Sequence, residues 1–140
     1  MKSLVVPAIL LAVSAARAEV KLPAFFADHM VLQRDVPAPV WGTADPGEKV
    51  TVRFAGKRGT ATADAAGKWK VLLAPLRASD EPRELTVESE GSNLKFEDVL
   101  VGEVWLASGQ SNMSYPLSSA HEAATKIPKA DDPELRRVLD

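Results

Sequence analysis

Ser111 stands in the string Ser108-Gly109-Gln110-Ser111-Asn112. A serine hydroxyl becomes a useful nucleophile when a turn lifts it clear of the backbone beside N–H groups that can hold a developing oxyanion. The flanking residues predict that geometry. Residues 99–107 read Val-Leu-Val-Gly-Glu-Val-Trp-Leu-Ala, with little alternation, the pattern of a strand buried on both faces in a parallel sheet. Beyond the turn, Leu117, Ala120, Ala124 and Ile127 recur at helical spacing and Pro128 marks a stop. A strand passing through a tight turn into a helix sets the turn residue above the carboxyl edge of a sheet, where open α/β sheets bind ligands. Ser111 would then meet the unpaired N–H groups and positive dipole end of that helix, which favour a developing oxyanion. Gly109 leaves room for close approach of backbone and substrate. On geometry alone a structural capping role is favoured, because serine is a preferred N-cap and nucleophiles are rare.

A serine is a weak nucleophile until a base takes its proton, and the usual base is a histidine oriented by a carboxylate. The chain has two histidines. His121 follows Ser111 by ten positions; along one straight helix of about 1.5 Å rise per residue it would stand about 15 Å away, beyond the roughly 3 Å that proton transfer requires. His29 lies in a strand-rich region, where a packed or exposed sheet position is its expected role. The charges of Glu122, Lys126, Lys129, Asp131, Asp132, Glu134, Arg136 and Arg137 read as a solvated face. No glycine-rich phosphate loop and no histidine or carboxylate pair at ligand spacing stands in the sequence, so neither a metal nor another cofactor is expected.

The elements that would position Ser111 lie upstream. Between Pro23 and Asp98 short runs alternate with period two, broken by glycine and proline turns, which predicts an antiparallel sandwich or barrel. Val50, Val52 and Phe54 fall on one face of their strand; Trp69, Val71 and Leu73 repeat the pattern, as do Leu85 and Val87. Asp45-Pro46-Gly47, Asp64 to Gly67 and Gly56 to Gly59 supply turn chemistry. Pro37, Pro39, Pro75 and Pro82 are expected where strands begin or end. A further strand opens at Leu135-Arg136-Arg137-Val138-Leu139. Trp41 and Trp69 are core aromatics by this pattern, although either could stack on a sugar ring.

Lys2, the apolar run Leu4 to Val13 and the tripeptide Ala16-Arg17-Ala18 form a secretory signal peptide, with cleavage after Ala18. The apolar run is about half of the ~20 residues that span a bilayer, so no membrane association is expected after cleavage, and the product is expected to be secreted or periplasmic. Removing 18 of the 140 residues leaves 122, enough for one small domain, or one domain with part of another. With no cysteine, neither a disulfide framework nor a thiolate nucleophile is available. The balance of 17 basic against 19 acidic residues argues against a nucleic-acid partner.

Two strings carry a resemblance. Val101-Gly102-Glu103-Val104-Trp105-Leu106-Ala107-Ser108-Gly109-Gln110-Ser111-Asn112-Met113 closely resembles the nucleophile segment of sialate O-acetylesterases, which are SGNH-type serine hydrolases. Upstream, Asp28-His29-Met30-Val31-Leu32-Gln33-Arg34 followed by Pro39-Val40-Trp41-Gly42 is similar to the opening of the same family's β-rich N-terminal domain. The resemblance extends from about Leu22 to the end of the chain. Ala107 departs from it, standing where many relatives carry cysteine, at a strand position that touches no catalytic step.

The resemblance implies hydrolysis of acetyl esters on sugar hydroxyls through an acyl-enzyme on Ser111, with acetylated glycan as the partner and Gln110 and Asn112 beside the substrate. After the signal peptide of residues 1–18, it implies a jelly-roll-like β-sandwich over 19–97 and, over 98–140, the start of an SGNH-type α/β esterase domain. An Asp-x-x-His segment and further oxyanion donors are implied downstream and are absent from residues 102–140, which supply too few elements to cover a parallel sheet. The chain is therefore expected to be a fragment that is inactive alone. Acetyl xylan is an alternative substrate, and a non-catalytic glycan-binding β-sandwich an alternative role. Oligomeric state is not legible.

Overall fold

The structure is a computed structural model that describes residues 19–137; the signal-peptide reading lies outside the described residues. The alternating segments become strands β1 (Val31–Gln33), β2 (Ala38–Thr43), β3 (Lys49–Phe54), β4 (Lys57–Thr62), β5 (Lys68–Leu73), β6 (Ser79–Glu88) and β7 (Asn93–Gly102). They form a five-stranded sheet in the order β1-β7-β6-β3-β4 and a two-stranded sheet β2-β5. This β-rich architecture agrees with the period-two reading, but five strands against two is not the eight-stranded arrangement of a jelly roll.

Apolar residues of both sheets meet in one core. Val40 from β2, Val50 and Val52 from β3, Leu73 from β5, Leu85 and Val87 from β6, and Val99 from β7 are fully buried. Apart from Val99, which lies in a continuously buried run, each is an inward member of an alternating segment, so burial of these side chains, roughly 1.5–3 kcal/mol apiece, selects the register.

The turns follow their residues. Glu48 N donates to Asp45 O at 2.9 Å across Pro46-Gly47, with Gly47 at φ 82, a type II turn. The β3–β4 hairpin turns at Ala55-Gly56, with φ 47 and 73, rather than over Gly56 to Gly59. A two-residue turn with both φ values positive matches the twist of the flanking strands. Gly59 instead lies inside β4 under β5, where a Cβ would come within 2.4 Å of Val71 Cγ1. Pro39 and Pro82 lie within strands rather than at their ends. Pro82 falls where the β6–β7 register shifts, a place where a missing N–H is tolerated.

The largest departure from the sequence reading concerns residues 98–137. β7 runs through Asp98 and ends at Gly102, so residues 99–102 extend the β-rich sheet, antiparallel to β6 and parallel to β1. Residues 103–110 form no strand. The change of character at Asp98 has a local cause. Leu85 faces Phe96 while Arg83 faces Val99, so β7 carries one extra residue here, and Asp98 occupies the left-handed region at φ 54, a bulge.

The expected helix after Ser111 is broken. It becomes 3₁₀ turns at Ser111–Ser114, Leu117–Ser119 and Ile127–Lys129 and one helical turn, α1 (Ala123–Lys126). Among the described residues no helix is long and apolar enough to cross a membrane. Residues 135–137 are not a strand, and 138–139 lie outside the described residues.

Candidate active site

The path to Ser111 begins at the β1–β7 edge. The loop before β1 grips the β7 bulge: Asp28 Oδ1 accepts from Glu97 N at 2.7 Å, and His29 N donates to Glu97 O at 3.0 Å. Just past the strand ends, Arg34 N donates to Gly102 O at 3.0 Å, and Val104 N donates to Gln33 Oε1 at 2.8 Å. Gln33 Nε2 also reaches Glu103 Oε2 at 3.3 Å, and Arg34 Nε lies 3.3 Å from Glu103 Oε1. Thus Asp28 to Arg34 and Gly102 to Val104, distant in sequence, meet in space and fix the direction in which the chain leaves the sheet. Met30 and Leu32 of the same string are buried and anchor it to the core.

Beyond Val104 the chain is open to solvent. Trp105 is 85% and Leu106 94% exposed, far from the doubly buried strand expected there. A strand satisfies its backbone only with neighbours, and none of the described strands lies beside these residues.

Ser111 is the first residue of its 3₁₀ turn. Gln110 takes the N-cap position with φ −97 and ψ −170 and makes no side-chain cap hydrogen bond. Ser111 is therefore not the cap, and among the described residues its hydroxyl has no hydrogen-bond partner. Its backbone N–H, one of the orphan donors of the turn, has no acceptor among the backbone bonds described. Four residues of 3₁₀ geometry give far less dipole than the helix expected from the sequence. Gln110 and Asn112 flank Ser111 and are exposed with it.

No hydrogen bond joins Ser111 to either histidine among the described residues. His121 is exposed in the turn before α1, so the straight helix from which its distance was reckoned does not exist. His29 adopts φ 65 and places Nδ1 2.5 Å from Asp98 Oδ2. It occupies the turn before β1 rather than a sheet position.

Arg136, expected on a solvated face, completes that cluster. Its guanidinium donates to Asp98 O at 2.7 Å and Oδ1 at 3.1 Å, with a third approach of 2.9 Å to Oδ2. Its side chain is 18% exposed. Arg136 and then His29 hold the Asp98 carboxyl below the usual carboxylate range. The pair links the segment that follows Ser111 back to the bulge. Neither Asp98 nor Arg136 was singled out from sequence, because a bulge carboxylate and a distant arginine have no shared spacing.

Of the two tryptophans with a sugar-stacking alternative, Trp69 is buried at 3% exposure, whereas Trp41 keeps 37%.

Ser111 is thus an exposed serine without a hydrogen-bond partner among the described residues, on a segment whose exit from the β-rich part is fixed by Gln33 and Arg34. No protein-family profile matches the chain. It is 30% identical to human sialate O-acetylesterase over 146 aligned positions, covering 97% of this chain and 28% of that protein. To the mouse sialate O-acetylesterase it is 30% identical over 117, covering 76% and 22%. A crystal structure of a carbohydrate acetylesterase from Xanthomonas citri superposes with TM-score 0.74 at 47% identity, covering 81% of this chain and 26% of that one. Over the stretch so matched, the chain belongs to the sialate O-acetylesterase family. It spans about a quarter of the curated relatives' length.

Proposed function

We propose that this chain is the nucleophile-bearing part of a serine esterase that removes O-acetyl groups from sialic acids or related glycans. The observation that carries the reading is Ser111, exposed and without a hydrogen-bond partner at the start of its turn, inside the stretch aligned with human sialate O-acetylesterase. Ser111 Oγ attacks the acetyl carbonyl while a base takes its proton; the carbonyl oxygen becomes an oxyanion facing Ser111 N–H. Collapse expels the sugar hydroxyl, reprotonated by the acid form of the base, and leaves acetyl-Ser111. Water then attacks the acyl-enzyme and releases acetate. Gln110 and Asn112 contact the sugar beside the ester.

Base, remaining oxyanion donors and neighbouring strands for residues 103–107 are supplied by parts of the parent outside this chain. The 140-residue chain alone is inactive in this reading. Residues 1–18 direct export, with Glu19 as the mature N-terminus, which sequencing of a secreted product would test.

The deciding experiment measures acetate release from O-acetylated sialic acid and from acetyl xylan by a parent-length protein and its Ser111→Ala variant. Loss of roughly 10⁴-fold or more in kcat on either substrate is expected, and the preferred substrate names the sugar. Full activity in the variant, or Ser111-dependent activity in the 140-residue chain, would overturn the corresponding part.

A further inference from the structure

We propose that the outer face of the β2–β5 sheet is a second binding site, separate from Ser111, for a sugar bearing a carboxylate. Alternation along the two strands puts Pro39, Trp41 and Thr43 outward from β2 and Lys68, Lys70 and Leu72 outward from β5. The register sets Trp41 directly opposite Lys70 and Thr43 opposite Lys68. The bridge Lys21–Thr43 brings a third ammonium group to the same edge. All of these but Leu72 line an open groove of about 770 Å³, a size within the roughly 300–1,000 Å³ of small-molecule sites.

Trp41 is braced to present its ring. Its centroid lies 5.2 Å from Phe25 and 5.1 Å from Phe26, the latter edge-on. Phe26 is buried, so the indole rests on the core and loses little freedom when a ligand stacks on its open side. A pyranose presents a C–H face that such a ring accommodates, and its polar edge then falls among the lysines.

The charge on this face is net positive, three lysines against one carboxylate. Lys95 pairs with Glu84 and Lys126 with Glu122, but among the described residues Lys21, Lys68 and Lys70 make no ion pair. Asp64 is the single carboxylate in the lining, and its Oδ1 is occupied by the N–H groups of Ala66 and Lys68. Three free cations around one braced aromatic, on a chain whose net charge is −2, match an anionic sugar better than a neutral one. The segment leading to Ser111 attaches through Gln33 and Asp98 to the other sheet, and none of residues 103–137 lines the groove.

The test titrates the 140-residue chain and its Ser111→Ala variant with N-acetylneuraminic acid, glucuronic acid and galactose. Binding is followed by calorimetry and by amide chemical shifts of β2 and β5. Saturable binding of at least one acidic sugar is expected, equal in both proteins, about tenfold or more tighter than galactose and weakened by added salt. Trp41→Ala and Lys70→Glu should each weaken it about tenfold, with Trp41→Phe largely retained. The two acids distinguish a sialic from a uronic acid source. Equal binding of galactose, no saturable binding, or unchanged affinity in Lys70→Glu with its thermal unfolding intact would overturn the proposal. So would Trp41-dependent dimerisation in sedimentation without a sugar response, which would make the face an interface between copies. Because Ser111 takes no part, failure of the esterase reading leaves the result standing.

Discussion

Asp98 does two jobs with one residue. Its left-handed φ of 54 makes the bulge, and its carboxylate gathers His29 and Arg136. Non-glycine residues tolerate this region best when they are Asn or Asp, so Asp98→Asn keeps the backbone while removing the charge. The shift has a definite sign. Arg136 first, and His29 second, lower the folded-state pKa, so the carboxylate contributes stability above the ordinary carboxylate range. That contribution is lost as pH falls through the folded value. Wild type should therefore unfold at a higher temperature than Asp98→Asn at neutral pH, with the gap closing as the solution is acidified. A gap independent of pH would show that the charge is not what holds the cluster.

At the scale of elements, the strings Asp28 to Arg34 and Gly102 to Val104 are one structural unit. Gln33 is the hinge pin, accepting from Val104 N and donating to Glu103. Gln33→Ala should speed hydrogen exchange at Val104 while leaving the amides of Leu85 and Val87 protected, because only the exit of β7 is released. If Val104 exchanged no faster, the exit would be held by the strand alone. Gly42 is as tightly specified: a Cβ there would come within 2.0 Å of Lys21 O, whose backbone exchanges hydrogen bonds with Thr43. Gly42→Ala should cost about 1–3 kcal/mol in chemical denaturation, and an unchanged midpoint would mean the Lys21 segment can move aside freely.

These elements also mark how far sequence reasoning reaches. The inward faces of β3, β5 and β6 were legible because period-two alternation is a local property and burial enforces it. Lys68 and Lys70 were equally legible as outward residues, but the register that sets Lys70 beside Trp41 belongs to pairing between strands. The run 99–107 misled because apolar, β-branched residues report a demand for burial without naming the partner. Among the described residues 99–102 find it beside β6 and β1, and 103–107 find none. The helix after Ser111 failed for a related reason: with no packed face, periodicity alone does not hold a helix together.

At the scale of the whole molecule, the stabilising core and the proposed nucleophile lie in different parts of the chain. The core draws on β1 to β7 and the residues leading into them, and the core cluster contains no residue beyond Val101. Residues 103–137 contribute instead the exposed side chains Val104 at 54%, Trp105 at 85% and Leu106 at 94%. They return to the β-rich part at Gln33 and at the Asp98–Arg136 contact. Ending the chain after Gly102 should therefore leave a cooperatively folding β domain. Its unfolding free energy should fall by no more than about 1–3 kcal/mol, the scale of one charge-assisted hydrogen-bond cluster. Binding of a hydrophobic dye should drop, since the contiguous apolar stretch is gone. Loss of cooperative unfolding in the shortened chain would place part of the folding nucleus beyond Gly102. Unchanged dye binding would mean that Trp105 and Leu106 are covered in solution, and the unpartnered state of residues 103–107 would then have to be abandoned.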